Sequence, residues 1–190
     1  MTKKIEIVVV ILGVMLIAAA ASMLIYNHME DIKAGEAAQA LLPELKQVID
    51  NTGAVQPPEM ATVEIEGYDY IGYLFIPKLK MELPIMSEWD YNRLKIAPCR
   101  QFGSVWTDDL VIAGHNFSRH FGSLSKITVG DAVAFIDVNG KPFNYIVSDI
   151  KRVMPTEVDW VKHSGYDLLL YTCTYGGKSR QVICCNRTEN

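Results

Sequence analysis

Asp167–Cys185 reads DLLLYTCTYGGKSRQVICC. An apolar run ends in a cysteine, Cys173, a polar turn follows over Thr174–Ser179, and Arg180 opens a second apolar run. Short apolar runs bounded by turn residues read as β-strands. Folded as a hairpin, this stretch returns Arg180 to the side of Cys173. The same texture extends back to Tyr68, with strands expected at Ile71–Ile76, Met81–Ser87, Leu110–Ala113, Ala132–Val138, Pro142–Val153, Leu168–Cys173 and Gln181–Cys185. Asn139-Gly140 between two such runs is the strongest short hairpin signal available. Leu110–Ala113 (LVIA) is apolar throughout, as expected of a strand covered on both faces. Many short strands with brief polar connections predict an all-β barrel or sandwich. Short helical turns are expected near Trp89–Lys95 and Phe121–Lys126.

The 190-residue chain carries a net charge of −4. That leaves room for one single-core domain once the ends are subtracted. It also gives no basic footprint for nucleic acid. Ile7–Tyr26 (IVVVILGVMLIAAAASMLIY) contains no charge. About 20 apolar residues are what a helix needs to cross a hydrocarbon core roughly 30 Å thick. The competing reading is a cleaved signal peptide, with Ala18–Ala21 as its small-residue site. The apolar run continues past those alanines, which favours a retained anchor. Lys3 and Lys4 before it favour a cytoplasmic N-terminus and a domain outside the cell membrane, held by a single span. The expected division is a tail over 1–6, a transmembrane helix over 7–26, a helical stalk and linker over 27–67, broken near Pro43, and a β-domain over 68–190.

Four cysteines in an extracytoplasmic domain raise the question of disulfides. Cys184 and Cys185 are neighbours on a strand, so their side chains take opposite faces and are poorly placed to bond each other. A bond from Cys99 to either stays open. Cys173 reads as a free thiol and the other three as buried small apolar residues.

Of the four histidines, His28 lies by the membrane segment and His163 in a surface loop. His115 instead emerges through Gly114 from the end of LVIA, as Cys173 emerges from the end of DLLLYT. A thiol and an imidazole at strand ends can meet at one rim of a barrel. The imidazole would take the thiol's proton and later give one to a leaving amine. A nearby Arg180 would stabilise an oxyanion. Singly, each residue has a bland explanation: a buried small side chain, a loop histidine, a solvated edge charge. Together they point to nucleophilic catalysis. His115 and His120 stand five apart without a clustered third ligand, so no metal site is expected.

VIAGHNF around His115, with LLLYTC and then Arg180, resembles the sortases, membrane-anchored cysteine transpeptidases of Gram-positive bacteria. The family motif Thr-Leu-x-Thr-Cys corresponds to Leu169-Leu170-Tyr171-Thr172-Cys173, with Leu169 in place of the first Thr. The resemblance covers roughly Tyr68–Arg187 and the N-terminal anchor. It implies a sortase-like closed β-barrel with short helices, Cys173 as nucleophile, His115 as acid/base and Arg180 as substrate and oxyanion stabiliser. Thr172, Asn116 and His120 are candidates for shaping the substrate site.

Further implications are substrates that are secreted proteins with an LPxTG-like sorting signal, an amine acceptor from a cell-wall precursor or a pilin, and no cofactor. No second hydrophobic segment of anchor length follows Arg180, which argues against the pilus-polymerising type with a C-terminal anchor, and no Asp-Pro-aromatic lid motif precedes the domain. The Val153–Asp167 connection is too short for the long helix of class B. The class stays open. Rival readings are a cell-wall L,D-transpeptidase or cysteine hydrolase, for which no Ser-His-Gly precedes Cys173, and a tethered, non-enzymatic binding or scaffold β-domain.

Overall fold

The computed structural model describes residues 2–51 and 60–188. It divides into two compact units, Met1–Lys33 and Ala34–Asn190. In the first, helix α1 (Thr2–Asn51) begins, and the side chains along Ile7–Tyr26 stand largely exposed, with Ile17 at 71% and Leu24 at 67%. A helix this apolar that no protein covers is a candidate membrane span.

The second unit is a β-barrel. Its strands are β1 (Val63–Ile65), β2 (Tyr68–Ile76), β3 (Met81–Met86), β4 (Cys99–Phe102), β5 (Leu110–Gly114), β6 (Ala132–Asp137), β7 (Pro142–Val153), β8 (Leu168–Cys173) and β9 (Arg180–Arg187). They pair in the order β1-β2-β3-β4-β5-β8-β9-β7-β6, and β6 pairs back onto β2. Eight strands therefore close the ring while β1 adds to β2 outside it. The interior is filled by Ile71, Leu74, Ile85, Ile112, Phe121, Phe135, Leu170 and Ile183, all fully buried.

Closure depends on Gly72. It sits at φ +142°, and a Cβ there would lie 2.0 Å from the Ile136 carbonyl oxygen on β6. No other residue type lets the two backbones approach so closely. The Asn139-Gly140 hairpin forms as expected. The Asp137 carboxylate accepts from the Asn139 and Lys141 N–H groups, and Gly140 takes the left-handed conformation at φ +75°. The short connection between β7 and β8 holds only the five-residue helix α2 (Val158–Lys162).

Four features differ from the expected layout. The helix runs on through Pro43, which sits on an exposed face. Its second half is not a free stalk. Ala34, Ala38, Leu41, Leu45 and Ile49 form a buried stripe at helical spacing; Leu41, Leu45 and Ile49 pack beside Tyr70, Met86 and Ala97, and Ala38 joins the cluster that fills the barrel. The domain also starts before Tyr68. Val63–Ile65 pairs with β2 through a two-residue turn at Glu66-Gly67, both at positive φ (51° and 80°). The rest of the expected linker, 52–59, falls outside the described residues. Cys99–Phe102 is a further unanticipated strand, interrupted by a bulge between Arg100 and Phe102.

Two outcomes are expected. Burying a Leu or Ile side chain contributes about 1.5–3 kcal/mol, so Leu41, Leu45 and Ile49 together are comparable with the ~5–15 kcal/mol net stability of a domain. A protein starting at Ala34 should unfold cooperatively near the full-length midpoint, and one starting at Thr52 should melt far lower or aggregate, as calorimetry would record. Gly72→Ala should cost about 2 kcal/mol or more in denaturant titration, through overpacking and backbone strain together.

Candidate active site

β5 and β8 run parallel, with Ala113 opposite Tyr171 and Gly114 opposite Thr172. One step further, the two strands end together and release His115 beside Cys173, on chains about 4.8 Å apart. β8 and β9 run antiparallel, and Cys173 pairs directly with Arg180. Directly opposed residues share a face, so the cysteine and the arginine project from the same side. The turn between them is tightly made. The Thr174 N–H donates to the Ser179 carbonyl at 2.9 Å, the Gly177 N–H donates to the Thr174 carbonyl at 2.8 Å, and Gly176 and Gly177 are both left-handed. The Arg180 guanidinium donates to the carbonyls of Gly177 (3.1 Å) and Ser179 (3.3 Å), which ties it to that turn. His115, Cys173 and Arg180 are thus brought to one rim.

His115 is half-buried. Tyr91 meets its ring edge-on at 5.6 Å and Phe117 lies against it at 4.7 Å. Its Nε2 is buried and meets no hydrogen-bond partner among the described residues. Desolvation, and secondarily the Lys95 ammonium, push its pKa below the ordinary histidine value, which favours the neutral imidazole. A neutral imidazole is the form that can accept a proton.

All four cysteines are free. Burial raises the thiol pKa of Cys99 and of Cys184 to about 12, and raises that of Cys185 further. Cys173 alone is partly exposed.

A cavity of about 210 Å³ opens on the outer face of β8 and β9. Tyr171 and Arg180 line it beside Phe102, Val153, Val158 and Val161, with Trp89 also in its wall. Cys173 is not in the wall, but strand alternation puts Tyr171, two residues earlier, on the same face. The Tyr171 hydroxyl donates to Gln101 Oε1 on β4, and burial raises its pKa to about 12, keeping it a neutral donor.

Two expected site residues lie elsewhere. Thr172 points inward and is 3% exposed, and its Oγ1 donates to the Gly114 carbonyl at 2.8 Å. It fastens β8 to β5 and is not part of a groove, because the residue next to an outward-facing cysteine must face in. His120 is fully buried, with Nε2 3.1 Å from the Ala34 carbonyl oxygen, so it is a seat for α1 and not a substrate contact. Asn116 is exposed beside His115. Tyr171 was legible from the period of two along β8. Tyr91, Lys95, Gln101 and Trp89 come from other segments and had no local signal.

The family model of the sortase domain matches residues 74–188, more than half of the chain, and the chain belongs to the sortase family. Sortase A of Bacillus anthracis is 27% identical over 135 residues, 67% of this chain and 64% of that relative, so the chain spans just under two thirds of its length. Among solved structures, sortase C1 of Streptococcus agalactiae is 26% identical, with a TM-score of 0.58 and coverage of 78% of this chain and 86% of that one. The type III crystal form of sortase C1 from the same organism gives a TM-score of 0.63 at 17% identity, covering 80% and 98%. Sortase C of Clostridium perfringens with the C-terminal cell wall sorting motif gives 0.58 at 23% identity, covering 86% and 90%. Relatives named A and C are matched alike, so these likenesses define the family and not the class.

The lowered pKa of His115 fixes a sign. Its contribution to stability is fully present above the unfolded value near 6.5 and is lost as pH falls through the lower folded value. NMR titration should place His115 below an ordinary histidine. Lys95→Met should move it partly back up and no more, since desolvation is the larger cause. A midpoint at or above the ordinary value in the wild type would contradict this account.

Proposed function

We propose that the chain is a sortase-type cysteine transpeptidase, and one observation carries the proposal: two strand pairings, β5–β8 and β8–β9, deliver His115, Cys173 and Arg180 to a single rim. The Cys173 sulfur, its proton taken up by the neutral His115, attacks the carbonyl carbon of a peptide bond. The C–N bond then breaks as His115 gives that proton to the leaving amine, and a thioester joins the substrate's acyl group to Cys173. An incoming amine attacks the thioester, and the thiol is restored as the new amide forms. Arg180 stabilises the oxyanion and aligns the substrate backbone.

The substrates are secreted proteins with an LPxTG-like sorting signal, and the acceptor is an amine of a cell-wall precursor or a pilin. Water in place of that amine would give hydrolysis as a side activity. The cavity beside Tyr171 and Arg180 supports an apolar segment of the sorting signal lying over β8 and β9. Residues 7–26 cross the cell membrane once, with the N-terminus inside and the barrel outside. The exposure of Cys173, against three buried thiols, favours this reading over a tethered binding module.

Cys173→Ala should abolish thioester formation with an LPxTG-type peptide, as intact mass spectrometry would show, while the fold is kept. Activity retained in that variant would remove Cys173 from the mechanism. Loss of one oxyanion donor costs on the order of 100- to 1000-fold in turnover. Arg180→Ala should fall by about that factor, and Arg180→Lys should recover only part, because lysine keeps the charge without the planar fork. The melting temperature should hardly move. Wild-type rates in both would make Arg180 a solvated edge charge.

A further inference from the structure

The loop carrying His115 rests on helix α1. His120 is fully buried there, and its Nε2 lies 3.1 Å from the Ala34 carbonyl oxygen. A carbonyl only accepts, so Nε2 is the nitrogen that carries the proton. Helix and loop meet without a spacer: a Cβ on Gly35 would lie 2.1 Å from Arg119 Cδ, and Ala34 and Ala38 are buried. Phe117 stands between the two imidazoles, its ring centroid 5.7 Å from that of His120 and 4.7 Å from that of His115. Backbone bonds close the loop around this stack. The Phe121 N–H donates to the His115 carbonyl at 3.1 Å, and the N–H groups of His120 and Gly122 donate to the Phe117 carbonyl at 3.0 and 2.8 Å.

We propose that His120 is a positioning residue for His115: anchored on the Ala34–Ala38 turn of α1, it fixes Phe117, and Phe117 fixes the plane of the His115 ring beside Cys173. The proposal rests on the reading of His115 as the acid/base. An apolar side chain of similar volume could fill the His120 site. It could not bond the Ala34 carbonyl, and that directed bond sets the orientation of the loop relative to the helix. The ring of His115 makes no hydrogen bond through Nε2 within the described residues. Aromatic contacts with Phe117 and with Tyr91 of the β3–β4 loop hold it instead, at 4.7 and 5.6 Å. The helix thus reaches His115 through packing, by way of His120 and Phe117.

The test uses the full chain in detergent micelles, as wild type, His120→Leu and His120→Gln, with an LPxTG-type peptide and a glycine-based amine. Small displacements of a catalytic group lower turnover by roughly 10- to 100-fold. His120→Leu should lose that much in kcat with KM unchanged, and the His115 Hε1 resonance, set by the rings of Phe117 and Tyr91, should move in ¹H–¹³C spectra. His120→Gln can still donate to the Ala34 carbonyl and should recover part of both. If His120→Leu does not fold, Phe117→Leu, at a half-exposed position, is read in the same way. Wild-type kcat with an unmoved His115 resonance in a folded variant overturns the proposal, as does a loss confined to KM. If the wild type turns over no peptide, the acid/base reading of His115 fails, while the resonance still decides whether His120 places that ring.

Discussion

The parallel pairing of β5 with β8 is the constraint on which the site depends. Parallel neighbours cannot be joined by a tight turn, so the chain must leave β5, build the β6–β7 hairpin and α2, and return. That long path separates His115 from Cys173 in sequence while the ladder sets them side by side. Register carries the whole arrangement, because a slip of one residue would turn Cys173 into the barrel and Thr172 out of it. The structure holds the register twice over. Leu168, Leu169 and Leu170 are buried on both faces, and the Thr172 hydroxyl bonds the Gly114 carbonyl at the last step before the two catalytic candidates. A threonine beside the cysteine therefore serves the site by fixing the strands and not by touching a substrate.

The ring of strands was legible wherever an apolar run bounded by turn residues was long enough to declare itself. β2, β3, β5, β6, β7, β8 and β9 all follow from such runs, and the β6–β7 turn follows from Asn139-Gly140. The two missed strands lack those cues. β1 has only three residues and turns through Glu66, a residue that rarely accepts positive φ. β4 is a bulged CRQF whose pairing is decided by its neighbours. The role of α1 after Lys33 was hidden for another reason. Alanines and leucines at helical spacing predict a helix, but a helix alone does not say what its stripe covers.

The site divides along the same line. Cys173 and Arg180 sit on one hairpin, so their meeting could be read from local sequence, and His115 followed from its place at the end of an apolar strand. His120 stands in the same loop with the same ring, yet it points the other way, into a seat formed by α1. Its assignment as a substrate contact failed because the helix that buries it is more than eighty positions away in the chain. Nothing within the loop distinguishes an imidazole that faces the rim from one that faces the core.

Desolvation then separates groups that share a chemistry. Cys99, Cys184 and Cys185 carry the same thiol as Cys173, but burial raises their pKa values so far that the thiolate is inaccessible near neutral pH. The same effect acts with the opposite sign on His115, where removal of water disfavours the cation and leaves a neutral ring able to take a proton. Burial therefore takes three thiols out of reach near neutral pH and favours the neutral form of His115, with the Lys95 ammonium adding to the last effect. Residue type proposes the chemistry of this rim, and the packing around each group decides which copy of that type can perform it.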